Sequence, residues 1–329
     1  MTIVLILLSF VIILAGCELF VNGVEWFGRR LELGEGAVGS VLAAVGTALP
    51  ETIIPIIAIV AGGKAGVEVG TGAILGAPFM LSTLAMFVCG SAVVIFSLTG
   101  RRTRTVRLNR VVLNRDLSFF LVVYAVGVLL GVVHLGPIKH AVAFLLLAAY
   151  AVYVYLTMKS EGDLEGETRA LYFHAAAESP MLRLILLQLF VALSAIILGA
   201  DLFVRELTKL AEALSVSPLI ISLLLTPIAT ELPEKFNSVM WMRQRKDTLA
   251  LGNITGAMVF QSAIPVAVGV AFTPWQLDRH GLLAAGLALG SGSLLWLRLR
   301  FTGRVGVGAL LTGGIFYLTF VGLILFGVV

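Results

Sequence analysis

Apolar residues fall along this chain in long unbroken blocks, separated by short polar stretches, and they do not alternate. About ten blocks stand out, at roughly 2–22, 37–62, 69–98, 117–133, 138–158, 182–204, 217–241, 249–273, 281–298 and 304–327. Each is roughly 17–30 residues long, and at about 1.5 Å per residue a helix of that length crosses about 30 Å of hydrocarbon. A membrane-spanning strand would need period-two alternation, which these runs lack. The predicted fold class is an all-α polytopic membrane protein with about ten transmembrane helices. The first block is apolar from Ile3 and meets no Lys or Arg before Arg29, so it reads as a true span rather than a cleaved leader.

Charge sharpens the topology. Only 13% of the 329 residues are charged, about half the roughly 25% of a soluble domain, and the mean hydropathy is +1.04. Of the 23 Lys and Arg residues, 17 occupy one alternate set of loops, densest at Arg101, Arg102, Arg104, Arg107, Arg110 and Arg115. The opposite loops hold Lys64, Lys139, Arg205, Lys209 and Arg279, and Lys235 lies inside a block. The positive-inside rule then places both termini outside and the arginine loops in the cytoplasm. A net charge of +4 distributed in this way is a topology signal, so no nucleic-acid partner is expected. Cys17 and Cys89 fall in apolar blocks and read as packing residues. Compact loops without a soluble regulatory domain point to a prokaryotic inner (plasma) membrane protein. The oligomeric state is not legible.

The two halves repeat. Gly16-Cys17-Glu18-Leu19-Phe20-Val21 matches Gly199-Ala200-Asp201-Leu202-Phe203-Val204 at an offset of 183, and Pro50-Glu51 matches Pro233-Glu234 at the same offset. Gly72-Ala73-Ile74-Leu75-Gly76-Ala77 matches Gly252-Asn253-Ile254-Thr255-Gly256-Ala257 at 180. Each half holds five spans, and an odd number makes the halves run in opposite senses: two inverted five-helix repeats. The predicted organisation is a first repeat over 1–159, with its central motif at about 38–82, and a second over 181–329, with its motif at about 217–262. A short acidic linker, 160–180, joins them and is expected to be solvated in the cytoplasm.

The candidate chemistry lies in the repeated motifs. Gly46-Thr47-Ala48-Leu49-Pro50-Glu51 and Ala229-Thr230-Glu231-Leu232-Pro233-Glu234 both sit within apolar blocks. Proline inside a helix deletes a hydrogen bond and crowds the carbonyl one turn earlier, and buried carboxylates in a membrane are functional by default. Helical spacing places Thr47 with Glu51, and Thr230 with Glu234, on one face. A hydroxyl and a carboxylate beside a broken helix are oxygen ligands for a hard cation. In the following block of the second half, Asn253, Ala257 and Gln261 form a stripe with two amides, which either face the ligand or bond between helices. The equivalent stripe, Ala73, Ala77 and Leu81, offers no side-chain oxygen and reads as a packing face among small residues. Glu18 and Asp201 read as anchors. The scattered histidines, His134, His140, His174 and His280, lack zinc spacing, and Gly62-Gly63-Lys64-Ala65 lacks the pattern of a phosphate loop. The candidate cation ligands are thus Glu51, Glu234, Thr47, Thr230, Glu231, Gln261 and Asn253. No cofactor is expected beyond the transported cations.

These paired Gly-Thr-x-Leu-Pro-Glu-like segments, each followed by a Gly-x-x-x-Gly block, resemble the α-repeats of the cation/calcium exchanger superfamily. The resemblance covers the whole chain. It implies alternating access around a midplane site, with Glu51 and Glu234 as central acidic ligands and Thr47 and Thr230 supplying further oxygens, together with backbone around Gly46 and Ala229. The chain departs from that pattern. The family's second motif resembles Gly-Ser-Asn-x-x-(Asn/Asp), whereas here the serine positions are Ala77 and Ala257 and the terminal positions are Leu81 and Gln261. The first motif's serine is Ala48 in one half and Glu231 in the other.

The expected function is secondary active cation antiport of Ca2+ against Na+ or H+, with small inorganic cations and the lipid bilayer as partners. The alternatives are exchange of another cation, monovalent Na+/H+ exchange, or a non-transporting membrane protein that kept the fold. An intramembrane enzyme would need a nucleophile–base pair or paired catalytic aspartates within the spans, and neither is present in the sequence. Lys235 follows Glu231 by four residues, the favourable order for a helical ion pair. It either neutralises Glu231, standing in for a cation, or extends to the cytoplasmic interface.

Overall fold

The computed structural model describes residues 1–30, 49–133, 136–160, 170–174 and 180–327. Among these, all regular structure is helical. In chain order the long helices are α1 (Thr2–Arg30), α2 (Leu49–Ala61), α3 (Gly63–Met80), α4 (Met86–Leu98), α5 (Arg110–Leu130), α6 (Ile138–Ser160), α7 (Leu182–Ala213), α8 (Pro218–Thr230), α9 (Leu232–Arg243), α10 (Asp247–Phe272), α11 (Arg279–Thr302) and α12 (Val307–Leu325). A π-helical turn, Leu81–Ala85, joins α3 to α4 without ending the helix. Eight described stretches are long and apolar enough to cross a bilayer, and Glu51–Val60 and Pro218–Ile228 are shorter apolar helices. One such stretch falls in each predicted block.

The chain packs as two compact units, Met1–Gly70 with Ala151–Pro218, and Thr71–Tyr150 with Leu219–Val329. Each unit therefore draws on both sequence halves.

In the first unit α1 lies along α7, and the repeat is visible in how they touch. A Cβ on Gly16 would lie 2.8 Å from Cγ1 of Ile196, and one on Gly199 would lie 2.9 Å from Cγ1 of Ile13. Gly16 and Gly199, like Ile13 and Ile196, are 183 residues apart. The contact is thus made twice with the partners exchanged, the reciprocity of two equivalent elements meeting about a two-fold axis. The same helices hold part of the linker. Gln188 donates to the Asn22 side-chain oxygen at 3.0 Å. Asn22 donates to the carbonyl of Ala170 at 3.2 Å, and Gln188 accepts the Phe173 N–H at 3.0 Å. Leu171 is fully buried. Residues 170 and 172–174 are exposed, as expected of a solvated linker, but their backbone is tied to the helices: two buried amides on apolar helices need partners, and this backbone supplies them. Tyr172 also donates to Glu18 at 2.7 Å, and Asp201 pairs with Arg205 at 2.8 Å, in line with their reading as anchors. The acidic residues Glu161, Asp163, Glu165, Glu167 and Glu178 lie outside the described residues.

The second unit is built round α10. Phe79, Phe120, Tyr124 and Phe320 are fully buried in it, with Phe79 and Phe320 rings 4.9 Å apart. The small residues of α3 do what their spacing predicts. A Cβ on Gly72 would come within 2.4 Å of the Leu219 carbonyl oxygen, and one on Gly76 within 2.3 Å of the Leu223 oxygen, so α3 and α8 cross backbone to backbone. Gly252 behaves differently: its nearest neighbour, Val112, would be 4.0 Å from a Cβ. Arg102, one of the loop arginines read as a topology signal, is buried. Its guanidinium grips both carboxylate oxygens of Asp247, at 2.7 and 3.0 Å, and donates to the Met242 carbonyl at 2.6 Å. This bidentate pair ties the α4–α5 loop to the start of α10.

Candidate functional site

The repeated Leu-Pro-Glu lies in a helix in both halves, and in the second half it opens one. The described part of α2 begins at Leu49 and holds Glu51; α9 begins at Leu232, with Glu231 before it, so Glu234 occupies a first helical turn. The expectation of a proline within a helix interior holds for Pro55 in α2 and Pro227 in α8 and is corrected for Pro233, which stands at the start of α9. In the first turn the missing proline N–H has no intrahelical partner to lose, and the fixed φ suits the position. The partial positive charge of a helix N-terminus also favours a carboxylate there. Both glutamates are buried, at 5% exposure for Glu51 and 8% for Glu234. Thr47, with Gly46 and Ala48, lies outside the described residues.

In the second half the interruption falls at Glu231. It has φ −92° and ψ 9° between α8 and α9. The break is local: the Glu231 N–H still reaches the Pro227 carbonyl at 3.2 Å, and the Lys235 N–H reaches the Glu231 carbonyl at 3.1 Å. Pro233, with no N–H, cannot continue the ladder to residue 229. The helical face expected to carry Thr230 and Glu234 together is therefore cut between them. The Thr230 hydroxyl turns back to the Thr226 carbonyl at 3.1 Å, the usual refuge of a buried threonine in a helix.

Glu231 is 1% exposed, and neither of its carboxylate oxygens has a hydrogen-bond partner; Glu234 Oε2 and Gln261 Oε1 are likewise buried without one. Buried oxygens in native proteins are nearly always satisfied, and exceptions of this kind mark strain, chemistry or an ion. Lys235 approaches Glu231, its Nζ lying 3.2 Å from Oε2. That contact lacks the angle of a hydrogen bond, and the ammonium instead donates to the Pro227 carbonyl at 3.2 Å. Lys235 is 9% exposed, so the alternative in which it extends to the interface does not hold.

The two amides of α10 separate. Asn253 donates to the Glu234 carbonyl and to Ser238 Oγ, both at 3.2 Å. It bonds between helices, holding the backbone of Glu234. Gln261 is 2% exposed and keeps an unpartnered oxygen. On α3, Ala73, Ala77 and Leu81 are buried and supply no side-chain oxygen, as expected. Among the described residues no group of three or more His, Cys, Asp and Glu side chains could hold a metal ion, so any ion here would rest on carboxylates supplemented by neutral oxygens. Sequence reasoning missed Ser238, which is buried and donates to the Ala250 carbonyl at 3.1 Å. It also missed the π turn, for which Pro78 in the preceding helix was the available signal.

Comparison with known proteins decides the family. The model described as sodium/calcium exchanger protein matches residues 1–159 and 184–329. The chain belongs to this exchanger family. The Escherichia coli (strain K12) inner membrane protein YrbG is 27% identical to it over 286 residues, covering 84% of this chain and 83% of that protein. The exchanger fold is shared with the crystal structure of the H+/Ca2+ exchanger CAX, at a TM-score of 0.74 and 18% identity over 98% of this chain and 82% of that one. It is shared also with the sodium-calcium exchanger NCX_Mj, at a TM-score of 0.58 and 21% identity over 98% and 97% of the two chains. Exchangers of this family are integral membrane transporters rather than enzymes. They carry small inorganic cations as cargo and use no cofactor.

Proposed function

We propose that this exchanger is a secondary active antiporter that moves Ca2+ against Na+ or H+ by alternating access, with Glu51 and Glu234 as its two acidic cation ligands. The observation that carries the reading is the repeated Leu-Pro-Glu: in each half it buries one carboxylate on a helix, Glu51 on α2 and Glu234 in the first turn of α9. Two such carboxylates match the charge of one divalent ion. Gln261 offers a further buried oxygen, Thr47 and Thr230 precede the glutamates by four residues in the sequence, and Asn253 holds the Glu234 backbone. Ca2+ takes six to eight oxygens, so backbone and water complete the set. The sequence repeats, 1–159 and 181–329, supply equivalent halves that exchange roles in the cycle. The bacterial relative supports placement in a prokaryotic plasma membrane, and the arginine asymmetry supports external termini.

The decisive experiment is radioactive calcium uptake by proteoliposomes under an imposed outward Na+ or H+ gradient. Uptake driven by either gradient, and collapsed by an ionophore for that ion, is expected. Absence of gradient-driven uptake rejects calcium antiport. A second reading, purely monovalent exchange, is favoured by one observation: the α3 positions Ala77 and Leu81 are buried and apolar, removing oxygens that a divalent ion would use. Sodium uptake under a proton gradient, with no calcium uptake, is its signature.

A further inference from the structure

Lys235 is a charge that the antiport reading does not use. It stands on the first turn of α9, beside Glu234, and reaches across the break in the chain. Its Nζ lies 3.2 Å from the Glu231 carboxylate and 3.2 Å from the Pro227 carbonyl. Those partners, one carboxylate oxygen and one backbone carbonyl at an interrupted helix, are the partners a bound monovalent cation would choose. All of them are shielded, with Glu231 1% and Lys235 9% exposed. Burying an unpaired carboxylate is costly, and the ammonium offsets that cost from within the chain.

We infer that Lys235 is a tethered cation. It permanently fills the position that a mobile monovalent ion would take against Glu231, and so fixes the charge ratio of exchange. The inference rests on the reading of Glu51 and Glu234 as the cargo's carboxylates. Glu231 and Lys235 cancel, leaving two negative charges for the cargo. One divalent ion, or two monovalent ions, then balances the site, and exchange is electroneutral. Without the ammonium, three negative charges remain: three monovalent ions balance them in the sodium-loaded site, whereas calcium binding alone leaves one uncompensated, so exchange moves net charge.

The test has two readouts on purified, reconstituted protein. The first is calcium uptake under a sodium gradient at clamped membrane potentials. Wild-type uptake is expected to be insensitive to potential. Lys235→Met should become potential-sensitive and move three Na+ per Ca2+, whereas Lys235→Arg keeps the wild-type ratio. Glu231→Gln leaves the ammonium uncompensated and should weaken apparent calcium affinity by about tenfold or more. The double variant Glu231→Gln/Lys235→Met should recover both affinity and electroneutrality. The second readout is binding of radioactive sodium to the detergent-solubilised protein, which needs no transport: Lys235→Met should bind one more Na+ per chain than wild type or the double variant. An unchanged ratio and an unchanged sodium count in Lys235→Met overturn the inference. So does potential-sensitive wild-type uptake at three Na+ per Ca2+. If Lys235→Met does not fold, rescue of Glu231→Gln by the double variant decides: recovery of affinity supports the tethered charge, and no recovery overturns it. Failure of the wild type to take up calcium under any gradient rejects the antiport reading itself, and the sodium count then judges the inference alone.

Discussion

At equivalent places in the two halves, α3 presents Ala73, Ala77 and Leu81 while α10 presents Asn253, Ala257 and Gln261. The glycines beside them part in the same way. Gly72 and Gly76 let α3 press on the α8 backbone, whereas Gly252 touches little. The difference teaches that this repeat conserves backbone path more than chemistry. One copy of the helix has become a packing surface, and the other has kept amides, one of which supports Glu234. Leu-Pro-Glu does the same thing in both copies: it buries its carboxylate on a helix.

That contrast can be broken or sharpened in order of size. The largest effect should come where α10 is anchored. Asp247→Ala strands the Arg102 guanidinium in a buried position, which should cost about 3–5 kcal/mol and appear as a large fall in the unfolding midpoint in detergent. Next is the glycine pair. Gly72→Ala forces a methyl against a backbone oxygen that would lie 2.4 Å away, and such overpacking costs about 1–3 kcal/mol. Gly252→Ala has open room and should be neutral or stabilising by up to about 1 kcal/mol, the helix preference for alanine. Equal thermal shifts for the two would show that the copies pack alike. Gln261→Leu removes a buried oxygen without a partner. It should leave the midpoint unchanged or raise it, while weakening apparent cation affinity several-fold in uptake assays. The smallest effect, a gain of a few-fold in calcium affinity, is expected from Leu81→Asn, which returns an oxygen to the packing face.

Much of this was legible in the sequence. Unbroken apolar runs fix the spans, because a bilayer admits little else, and the structure places one apolar helical stretch in each. Pro233, two residues after Glu231, announced the interruption, although its sense differs from the expected one: it begins a helix rather than kinking one, a distinction that depends on the Glu231 dihedrals. The Glu231–Lys235 pair was readable from its four-residue spacing, but burial alone chose between pairing and interfacial extension. Arg102 was not readable, since a loop arginine that orients the chain looks the same as one that grips Asp247. Nor was the docking of residues 170–174, because a partner more than a hundred residues away leaves no local periodicity.

The central claim is that the two buried glutamates of the repeated Leu-Pro-Glu are jointly required to carry the ion. Its most direct test compares Glu51→Gln with Glu234→Gln in vesicles containing equal amounts of folded protein, reading initial calcium uptake under the gradient that drives the wild type. Each single change should reduce uptake to the level of protein-free vesicles. Uptake at the wild-type rate by either variant would contradict the account.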